Sequence, residues 1–380
     1  MPVEHAAIAG AGIAGLTAAL ALTKRGIRSD IFEQAGELAE VGAGLQLSPN
    51  ASRILRELGV LAEIEKCWLE PEMIRLVAGD TLRQLAAVSA GRFARERWDA
   101  PYGVLHRATL QRVLLDAVRA NPLCQLHLGT PIESAGLPSN GPGVLIGADG
   151  VWSKTRAAID GSPSPRFSGN IAYRFTITAA AAPDFLDTNS VSAFLGGSVH
   201  LVCYPLKETA SFNLVAITSG NENTERWDSG AASHQLETLR SRFRGWHPEA
   251  LSLLRNIEPT YWPLYEASEG SWQDGRDRVL IGDAAHAMMP FAAQGAAMAI
   301  EDAYELAYFL GSNPIEQALP RFEAHRAPRI AKIRKRGAFN RFAYHARGPV
   351  RIGRDIVLSM KPSQSLATDL DWIYGYRPLG

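Results

Sequence analysis

Hydrophobic and polar positions at the start of the chain predict a strand, a helix and a second strand. EHAAIAG is typical of a buried strand, and the apolar run after it predicts a helix that continues to Lys24 and ends before Gly26. RSDIFEQ then predicts a second strand. Two strands joined by a helix in this way form the βαβ unit of a parallel sheet with helices on its faces.

The pattern changes further along the chain. Helical periodicity covers ASRILRELGVLAEIE and HRATLQRVLLDAVRA (106–120), which we assign to the same α/β layer. From Asn170 to Ile217, short runs such as IAYRFTITA and VHLVCYPL predict an antiparallel sheet, a separate layer that forms a pocket wall. RVLIGDA (278–284) predicts a short buried strand, MAIEDAYELAYFL predicts a helix, and the chain beyond Pro320 is helical again.

Composition narrows the functional classes. The 380 residues include 39 Lys plus Arg and 39 Asp plus Glu, so no net charge attracts nucleic acid or an anionic membrane. We therefore expect a small substrate. Cys67, Cys124 and Cys203 form no CxxC pair and no His/Cys cluster of metal-ligand spacing, which predicts neither disulfides nor a metal and favours a reducing compartment.

The apolar run from Ala6 to Thr23 has the length of a signal peptide. Glu4 and His5 stand before it, where a secretory signal carries Lys or Arg, and three glycines within it would weaken a membrane helix. We therefore expect a cytoplasmic protein with no integral membrane segment.

Three glycines carry the first functional signal. Gly10, Gly12 and Gly15 form GxGxxG between strand and helix, and Glu33 follows the second strand at about the 20-residue spacing of a carboxylate that binds ribose hydroxyls. The first glycine permits a tight turn, the second lets the backbone approach a pyrophosphate, and the third lets the helix pack on the strand. The alternative is a glycine turn without a ligand. The motif predicts a bound dinucleotide and fits NAD and FAD equally, because both share the adenosine diphosphate end.

Basic residues crowd the helical segment after Pro320, within a basic region at 321–354. Such a run usually marks a solvated helix face, but Ile330 and Ile333 also allow a buried stripe. A subunit interface and a surface that collects an anionic nicotinamide are further alternatives. Between residues 321 and 341, Glu323 is the only acid. The basic residues there are Arg321, Arg326, Arg329, Lys332, Arg334, Lys335, Arg336 and Arg341.

Longer motifs connect these signals. GAGIAG, GADGVWSKTR and GDAAHAMMPFAAQGAAMAIED, in this order, resemble the single-component FAD-dependent aromatic hydroxylases. VGAGLQLSPNASRILRELG, GRFARERWDAPYGVLHRATL, HLVCYPL and DWIYGYRPLG resemble the salicylate and 6-hydroxynicotinate hydroxylase branch of that family. The resemblance implies a mixed α/β fold. It comprises a discontinuous Rossmann-like FAD-binding domain at 1–72, 102–165 and 275–325. An antiparallel β-sheet substrate domain is inserted at 73–101 and 166–274, and C-terminal helices follow at 326–380.

The resemblance also implies a cofactor and its chemistry. FAD would bind without a covalent bond, NADH or NADPH would visit transiently to reduce it, and O2 would give a flavin C4a-hydroperoxide. This species would hydroxylate a hydroxylated aromatic or N-heteroaromatic acid. The N-terminus of a helix near Gln294 would face the flavin and favour its anionic reduced form, because backbone N–H groups and the helix dipole are positive there. The predicted cofactor contacts are Gly10, Gly12, Ala14, Gly15, Glu33, Arg107, Asp149, Asp283, Gln294, Gly295 and Ala296.

The resemblance places a second group of residues beside the substrate. Gln46 stands where hydroxynicotinate hydroxylases have a histidine base, and an amide removes no proton at neutral pH, so Tyr204 becomes the candidate acid–base group. Pro290 would hold the loop over the face of the flavin where oxygen reacts. Arg174 and His200 could pair with a substrate carboxylate. The substrate-binding candidates are Gln46, Arg174, His200, Tyr204 and Met289, and His286 is expected to be a hydrogen-bonded structural residue.

Other functions remain open at this point. An epoxidase or a quinone-ring hydroxylase would share the same family features. A flavin reductase without oxygen insertion would need a second nucleotide loop or a CxxC pair, and a non-catalytic FAD-binding protein would consume no NAD(P)H in response to substrate. The span from Cys124 to Gly147 is shorter than is usual in the family, which indicates a trimmed strand pair. A monomer and a homodimer both fit.

Overall fold

The computed structural model describes residues 3–38, 44–131, 143–220, 229–230 and 233–380. The predicted trimming between Cys124 and Gly147 lies in large part outside the described residues. The strands are β1 (His5–Ala9), β2 (Arg28–Phe32), β3 (Gly44–Leu47), β4 (Met73–Ala78), β5 (Gln84–Ser89), β6 (Gly103–His106), β7 (Cys124–His127), β8 (Val144–Gly147), β9 (Pro165–Thr178), β10 (Ser190–Gly196), β11 (Val199–Leu206), β12 (Ser211–Ser219), β13 (Ser229–Gly230), β14 (Thr260–Ala267) and β15 (Arg278–Leu280). The α-helices are α1 (Ile13–Thr23), α2 (Pro49–Glu57), α3 (Leu61–Cys67), α4 (Gly91–Trp98), α5 (Arg107–Arg119), α6 (Ser233–Arg242), α7 (Pro248–Ser252), α8 (Asp283–His286), α9 (Gly295–Ser312), α10 (Ile315–Tyr344), α11 (Gly348–Met360), α12 (Ser363–Thr368) and α13 (Asp371–Tyr374).

A parallel sheet contains the two strands predicted at the start of the chain. Its order is β15, β8, β1, β2, β7, and each neighbouring pair is parallel. The helix α1 returns the chain from β1 to β2 and is buried along most of its length, because α9 packs against it as well. In a sheet of this kind, ligands bind beyond the carboxyl ends of the strands.

A second sheet of eight strands forms a separate layer. Its order is β13, β14, β9, β12, β11, β10, β4, β5, and neighbours are antiparallel except for β10 and β4. Together, the two sheets and their helices confirm the predicted mixed α/β fold class. No helix in the described part of the chain is both long and apolar enough to cross a membrane.

The helix predicted from ASRILRELGVLAEIE is wrong as a single element. The α2 helix ends at Glu57 and α3 begins at Leu61. Gly59 lies between them with φ of +76°, a left-handed conformation that ends a helix and that glycine adopts without steric cost. The periodicity continues through the break because both helices bury apolar residues in the same core.

A buried charge cluster joins α9 to α10. It consists of Glu301, Asp302 and Glu305 from α9 and Arg326 and Arg329 from α10. Arg326 is fully buried: its Nη1 donates to Glu301 Oε2 at 2.7 Å and to Glu305 Oε2 at 3.0 Å, and its Nε donates to Asp302 Oδ1 at 2.8 Å. Arg329 donates to both oxygens of Glu301, at 2.6 and 2.7 Å. Buried charges are tolerated when they are paired and hydrogen-bonded in this way.

The charge cluster corrects the interpretation of the basic segment as a solvated face. Arg326 and Arg329 point inwards, whereas Lys332, Lys335 and Arg341 are exposed. The sequence could not distinguish the buried arginines from the exposed basic residues, because the acids that pair with Arg326 and Arg329 lie on a different helix.

The segment 371–379 crosses back over the charge cluster. Tyr376 Oη donates to Glu305 Oε1 at 2.7 Å, and the Leu379 N–H donates to the same oxygen at 3.0 Å. Arg53 of α2 donates to the Tyr376 carbonyl oxygen. This segment therefore completes the hydrogen bonds of a buried carboxylate.

Candidate active site

A cavity of about 700 Å³ lies between the carboxyl ends of the parallel strands and one face of the eight-stranded sheet. Most of the predicted site residues, although far apart in sequence, meet there. Gly15, Met289 and Gln294 do not line it. The predicted residues that do are Gly10, Gly12, Ala14, Glu33, Gln46, Arg107, Asp149, Arg174, His200, Tyr204, Asp283, Pro290, Gly295 and Ala296.

The glycine turn after β1 has three different steric requirements. Gly10 has φ of +99°, and a Cβ there would lie 2.7 Å from the Ala148 carbonyl oxygen. A Cβ on Gly15 would lie 2.0 Å from the Gly10 carbonyl oxygen, so this glycine allows α1 to pack against the turn. Gly12 has no atom within 4 Å of its Cβ position, which leaves its backbone open to the cavity. A phosphate can approach such a turn closely.

Glu33 is held at the rim of this turn by two backbone donors. Its Oε2 accepts from the Ala11 N–H at 2.9 Å and its Oε1 accepts from the Ala35 N–H at 3.0 Å. Each carboxylate oxygen can accept a further hydrogen bond. The carboxylate is thereby oriented and retains the capacity to bind vicinal hydroxyl groups.

Asp149 and Asp283 follow two neighbouring strands of the parallel sheet, β8 and β15. Asp149 Oδ2 accepts from the backbone N–H groups of Lys154 and Thr155 at 2.8 and 3.0 Å, while its buried Oδ1 has no partner among the described residues. Asp283 opens α8 and is exposed towards the cavity. Both carboxylates are available to hydroxyl or amide donors of a ligand.

Arg156 was not singled out from the sequence, although it lies within GADGVWSKTR. It is buried, and its Nε donates to the Ala284 carbonyl oxygen at 2.8 Å while its Nη1 donates to the Val151 carbonyl oxygen at 2.8 Å. Arg156 therefore fixes the loop after β8 against α8. Burial lowers the pKa of this guanidinium, and the carboxylates of Asp149 and Asp283 oppose that effect.

The N-terminus of α9 faces the cavity through Gly295 and Ala296. No acidic residue lies in its first turn, so the N–H groups and the positive end of the dipole are available to an anionic ligand. The side chain of Gln294 turns away from the cavity. Its Nε2 donates to Ser48 Oγ at 3.0 Å and its Oε1 accepts from Asn50 Nδ2 at 3.2 Å. Gln294 thus ties the start of α9 to α2.

Met289 also turns away from the cavity, and Met288 lines it instead. Met289 packs beside Ile217 and Phe291. The backbone at Met289 is extended, with φ of −64° and ψ of 140°, so neighbouring side chains point to opposite sides. The sequence identified the loop but could not fix which of the two methionines faces inwards.

The opposite wall of the cavity is formed by alternate residues of β11 together with β9 and β12. His200, Val202 and Tyr204 share one face of β11, as expected from the two-residue period of a strand. Gln46 of β3 lies beside them, and its Oε1 accepts from Tyr102 Oη at 2.6 Å. With this carbonyl engaged, the Gln46 amide group can donate to a ligand.

Electrostatics give these side chains different roles. Burial raises the pKa of Tyr204, and Arg174 only partly opposes it, so the phenol stays protonated at neutral pH and acts as a donor. Burial lowers the pKa of His200, an effect that His345 reinforces, so this imidazole is neutral. The Arg174 Nε is buried and has no partner among the described residues. An anionic group in the cavity would satisfy it.

His345 is a neighbour of the cavity that the sequence did not identify. It follows the last residue of α10, and its Nε2 lies 2.9 Å from His200 Nδ1. The rings of Phe291 and Tyr344 also contact His200, with centroid separations of 5.1 and 5.4 Å. Residues 145 positions apart meet here, and no periodicity in the sequence reports such a contact.

Comparison with known proteins gives consistent matches across the whole chain. A family model described as an FAD binding domain matches residues 4–139 and 142–336. The chain is 34% identical to a 3-amino-4-hydroxybenzoate 2-monooxygenase of Streptomyces platensis, over 98% of this chain and 97% of that protein. It is 34% identical to 3-hydroxybenzoate 6-hydroxylase 1 of Aquipseudomonas alcaligenes, over 97% and 96% of the two chains. It is 30% identical to 6-hydroxynicotinate 3-monooxygenase of Pseudomonas fluorescens, over 87% and 89%.

Solved structures share the same fold. A salicylate hydroxylase in complex with its substrate superposes with a TM-score of 0.79 at 24% identity, over 99% of this chain and 96% of that one. A Klebsiella pneumoniae protein, HpxO, in complex with FAD and uric acid gives a TM-score of 0.79 at 22% identity, over 97% and 95%. Because both identities are below 25%, these structures establish the shared fold alone.

Proposed function

This chain belongs to the FAD-binding family of flavoprotein hydroxylases, and from that premise we propose that it hydroxylates the ring of a hydroxylated aromatic or N-heteroaromatic acid. It is an FAD-dependent aromatic monooxygenase, which confirms the predicted enzyme class and cofactor. One observation carries the substrate proposal: Arg174, Tyr204 and His200 stand on the wall opposite the nucleotide-binding turn and offer a cation, a hydroxyl donor and a neutral imidazole.

The residues at the glycine turn fit FAD. Gly10 and Gly12 leave backbone open to a pyrophosphate, Glu33 is oriented for the ribose hydroxyls, and the unpartnered Oδ1 of Asp149 can accept a donor from the cofactor. We assign Arg107, Asp283 and the α9 N-terminus to the same cofactor. When bound, FAD supplies the redox chemistry and the activation of O2. We further assign the segments 1–72, 102–165 and 275–325 to its domain.

The side chains on the opposite wall bind and orient the substrate. Arg174 takes the carboxylate, which satisfies its buried Nε, and Tyr204 donates to the ring oxygen. The Gln46 amide donates to the same oxygen or to a ring nitrogen, and His200 accepts the proton that the ring hydroxyl loses. Pro290 shapes the loop beside the ring. Removing that proton makes the neighbouring ring carbon electron-rich, which hydroxylation requires.

The cosubstrates and the cellular setting are part of the proposal. NADH or NADPH reduces the enzyme transiently, and O2 supplies the inserted oxygen. We propose a cytoplasmic enzyme that is a monomer or a homodimer. An epoxidase or quinone-ring hydroxylase of this family would not need a cation for a carboxylate, and Arg174 favours the acid.

Replacing Glu33 by alanine should weaken FAD binding. The ribose hydroxyls lose charge-assisted hydrogen bonds worth roughly 1.5 to 3 kcal/mol, and the Ala11 and Ala35 N–H groups lose their acceptor as well. Glu37→Ala is the matched control, because this nearby glutamate is exposed and does not line the cavity. Titrating FAD into the apoprotein by flavin fluorescence measures the change, and equal affinity for the two variants would contradict the role of Glu33.

Substrate-dependent turnover tests the function directly. NAD(P)H oxidation by the purified enzyme should be slow alone and strongly accelerated by one acid in a panel of 3-hydroxybenzoate, salicylate and 6-hydroxynicotinate. Under ¹⁸O2 the product should contain one heavy oxygen atom, detected by mass spectrometry. Acceleration without oxygen in the product would identify a reductase, and oxygen derived from water would exclude oxygen transfer from O2.

A further inference from the structure

Two histidines connect the substrate wall of the cavity to the end of α10. His200 is 1% exposed and lines the cavity, whereas His345 is partly exposed at the end of the helix. His200 Nδ1 and His345 Nε2 are 2.9 Å apart, which is hydrogen-bond distance. Because Nδ1 of His200 is engaged, its Nε2 is the nitrogen left for a ligand.

We propose that His200 and His345 form a proton relay that carries the proton of the substrate's ring hydroxyl from the cavity to solvent, with His345 as the positioning residue of the pair. The proposal rests on the proposed function, because it requires a substrate with a ring hydroxyl.

The transfer balances without a stored charge on either imidazole. The hydroxyl O–H bond breaks and a bond forms between that proton and His200 Nε2. The proton on His200 Nδ1 passes to His345 Nε2, and the proton on His345 Nδ1 passes to water. The phenolate stays in the cavity, and both rings end as neutral tautomers. The reverse sequence restores the first tautomers when the product hydroxyl is reprotonated.

The surroundings explain why a pair is needed. His200 holds an added proton poorly, because burial lowers its pKa and the neighbouring His345 lowers it further. Burial, Arg341 and Arg347 lower the pKa of His345 to about 4, so this ring does not store the proton at neutral pH either. The Tyr344 ring also contacts His200, and burial raises the pKa of this phenol, so it remains neutral. The proton therefore leaves for solvent.

The contacts also fix the orientation of the pair. His345 N–H donates to the Arg341 carbonyl oxygen at 3.0 Å, and its carbonyl oxygen accepts from the Ser198 N–H at 3.3 Å, one strand position before β11. Phe291, which follows Pro290, packs against both imidazoles with centroid separations of 5.1 and 5.4 Å. The relay is thus built between the substrate wall, the loop over the ring and the end of α10.

The decisive variant is His345→Gln. A glutamine amide can still accept a hydrogen bond from His200 Nδ1, but it cannot pass a proton on. With the acid that best stimulates the wild type, we expect kcat for product at pH 7 to fall about 10-fold, less than the loss of a direct acid–base group. KM and FAD affinity should be unchanged. Activity should recover as the pH rises, because the ring hydroxyl then enters the cavity already ionised.

His325→Gln is the matched control. This histidine lies within α10, the helix that His345 follows, is also partly exposed, and contacts Glu305 rather than a residue of the cavity. It should leave the pH profile unchanged. An unchanged rate and pH profile in His345→Gln would overturn the relay, and so would a loss that is equal at every pH or that follows weaker FAD binding, since both indicate a structural role.

A second variant and a measurement on the wild type keep the relay testable if His345→Gln does not fold. If His345→Gln does not fold, His345→Asn gives the same comparison with a shorter side chain. In the wild type, the relay predicts that hydroxylation slows in deuterium oxide, and an unchanged rate there would overturn it. If no acid in the panel stimulates the wild type, the proposed function itself fails, an outcome visible before any variant is made.

Discussion

Replacing Arg326 by methionine is expected to lower the free energy of unfolding by about 3 to 5 kcal/mol. The side chain is fully buried and pairs with three carboxylates, Glu301, Asp302 and Glu305. Methionine fills a similar volume but leaves those carboxylates without their shared cation. Denaturant unfolding of the FAD-bound protein, followed by tryptophan fluorescence, measures the change. Lys335→Met on the same helix is the control, since Lys335 is exposed and should change stability within about 0.5 kcal/mol.

The pH dependence identifies the cause. Burial raises the pKa of Asp302, but His286 and Arg326 outweigh it and bring the pKa to about 2. This depressed value stabilises the wild type above the ordinary pKa of 3.8, and the contribution is lost only as the pH falls towards 2. Without Arg326, the folded-state pKa of Asp302 rises. Protonation of this carboxylate in mild acid therefore stabilises the folded variant. The stability difference should therefore be smaller at pH 5 than at pH 7, and a pH-independent difference would attribute the loss to packing alone.

Tyr204→Phe is expected to reduce the hydroxylation rate by roughly 10²-fold or more, the scale of a lost donor to a developing oxyanion. Tyr204 is 3% exposed, and burial keeps its phenol protonated, so it can stabilise the ring oxygen as this becomes negative. Reduction by NAD(P)H should continue, and hydrogen peroxide should accumulate because oxygen is consumed without reaching the ring. Product formed per NAD(P)H consumed measures the effect.

Tyr173→Phe provides the comparison for Tyr204. Tyr173 is also a buried tyrosine of the eight-stranded sheet, but it packs against Tyr261 and does not line the cavity. Its substitution should leave coupling close to that of the wild type. If Tyr204→Phe behaves in the same way, Tyr204 is a packing residue, and His200 alone remains as the group that activates the ring.

The sequence predicted best those features that depend on neighbouring residues. The glycine turn and Glu33 belong to one βαβ unit, and their spacing places them together in any fold that contains it. The resemblance grouped His200 and Tyr204 from one predicted strand, and both residues line the cavity from β11. Helix α9 begins at Gly295, where the motif predicted its N-terminus.

The sequence failed where the outcome depends on a distant partner. The residues next to Arg326 in the chain do not indicate its pairing with three carboxylates. Its run of basic residues therefore had the pattern of a solvent-exposed helix face. Gln294 was assigned to the cofactor from its place in the motif, but Ser48 and Asn50, about 245 residues earlier, draw its side chain away. The sequence analysis did not identify His345 either, because only the fold brings it next to His200.

The contacts of Glu305 join residues that the ribosome synthesises at different times. This carboxylate receives hydrogen bonds from Tyr376 and from the Leu379 N–H, and the second donor lies 74 residues later in the chain. At ordinary translation speeds, a ribosome needs roughly 4 to 15 seconds to add that length. During this interval Arg326 and His325 are the partners of Glu305 already synthesised, and the Tyr376 and Leu379 donors are still missing. The hydrogen bonds of this α9 carboxylate are therefore completed only when the segment 371–379 has been synthesised.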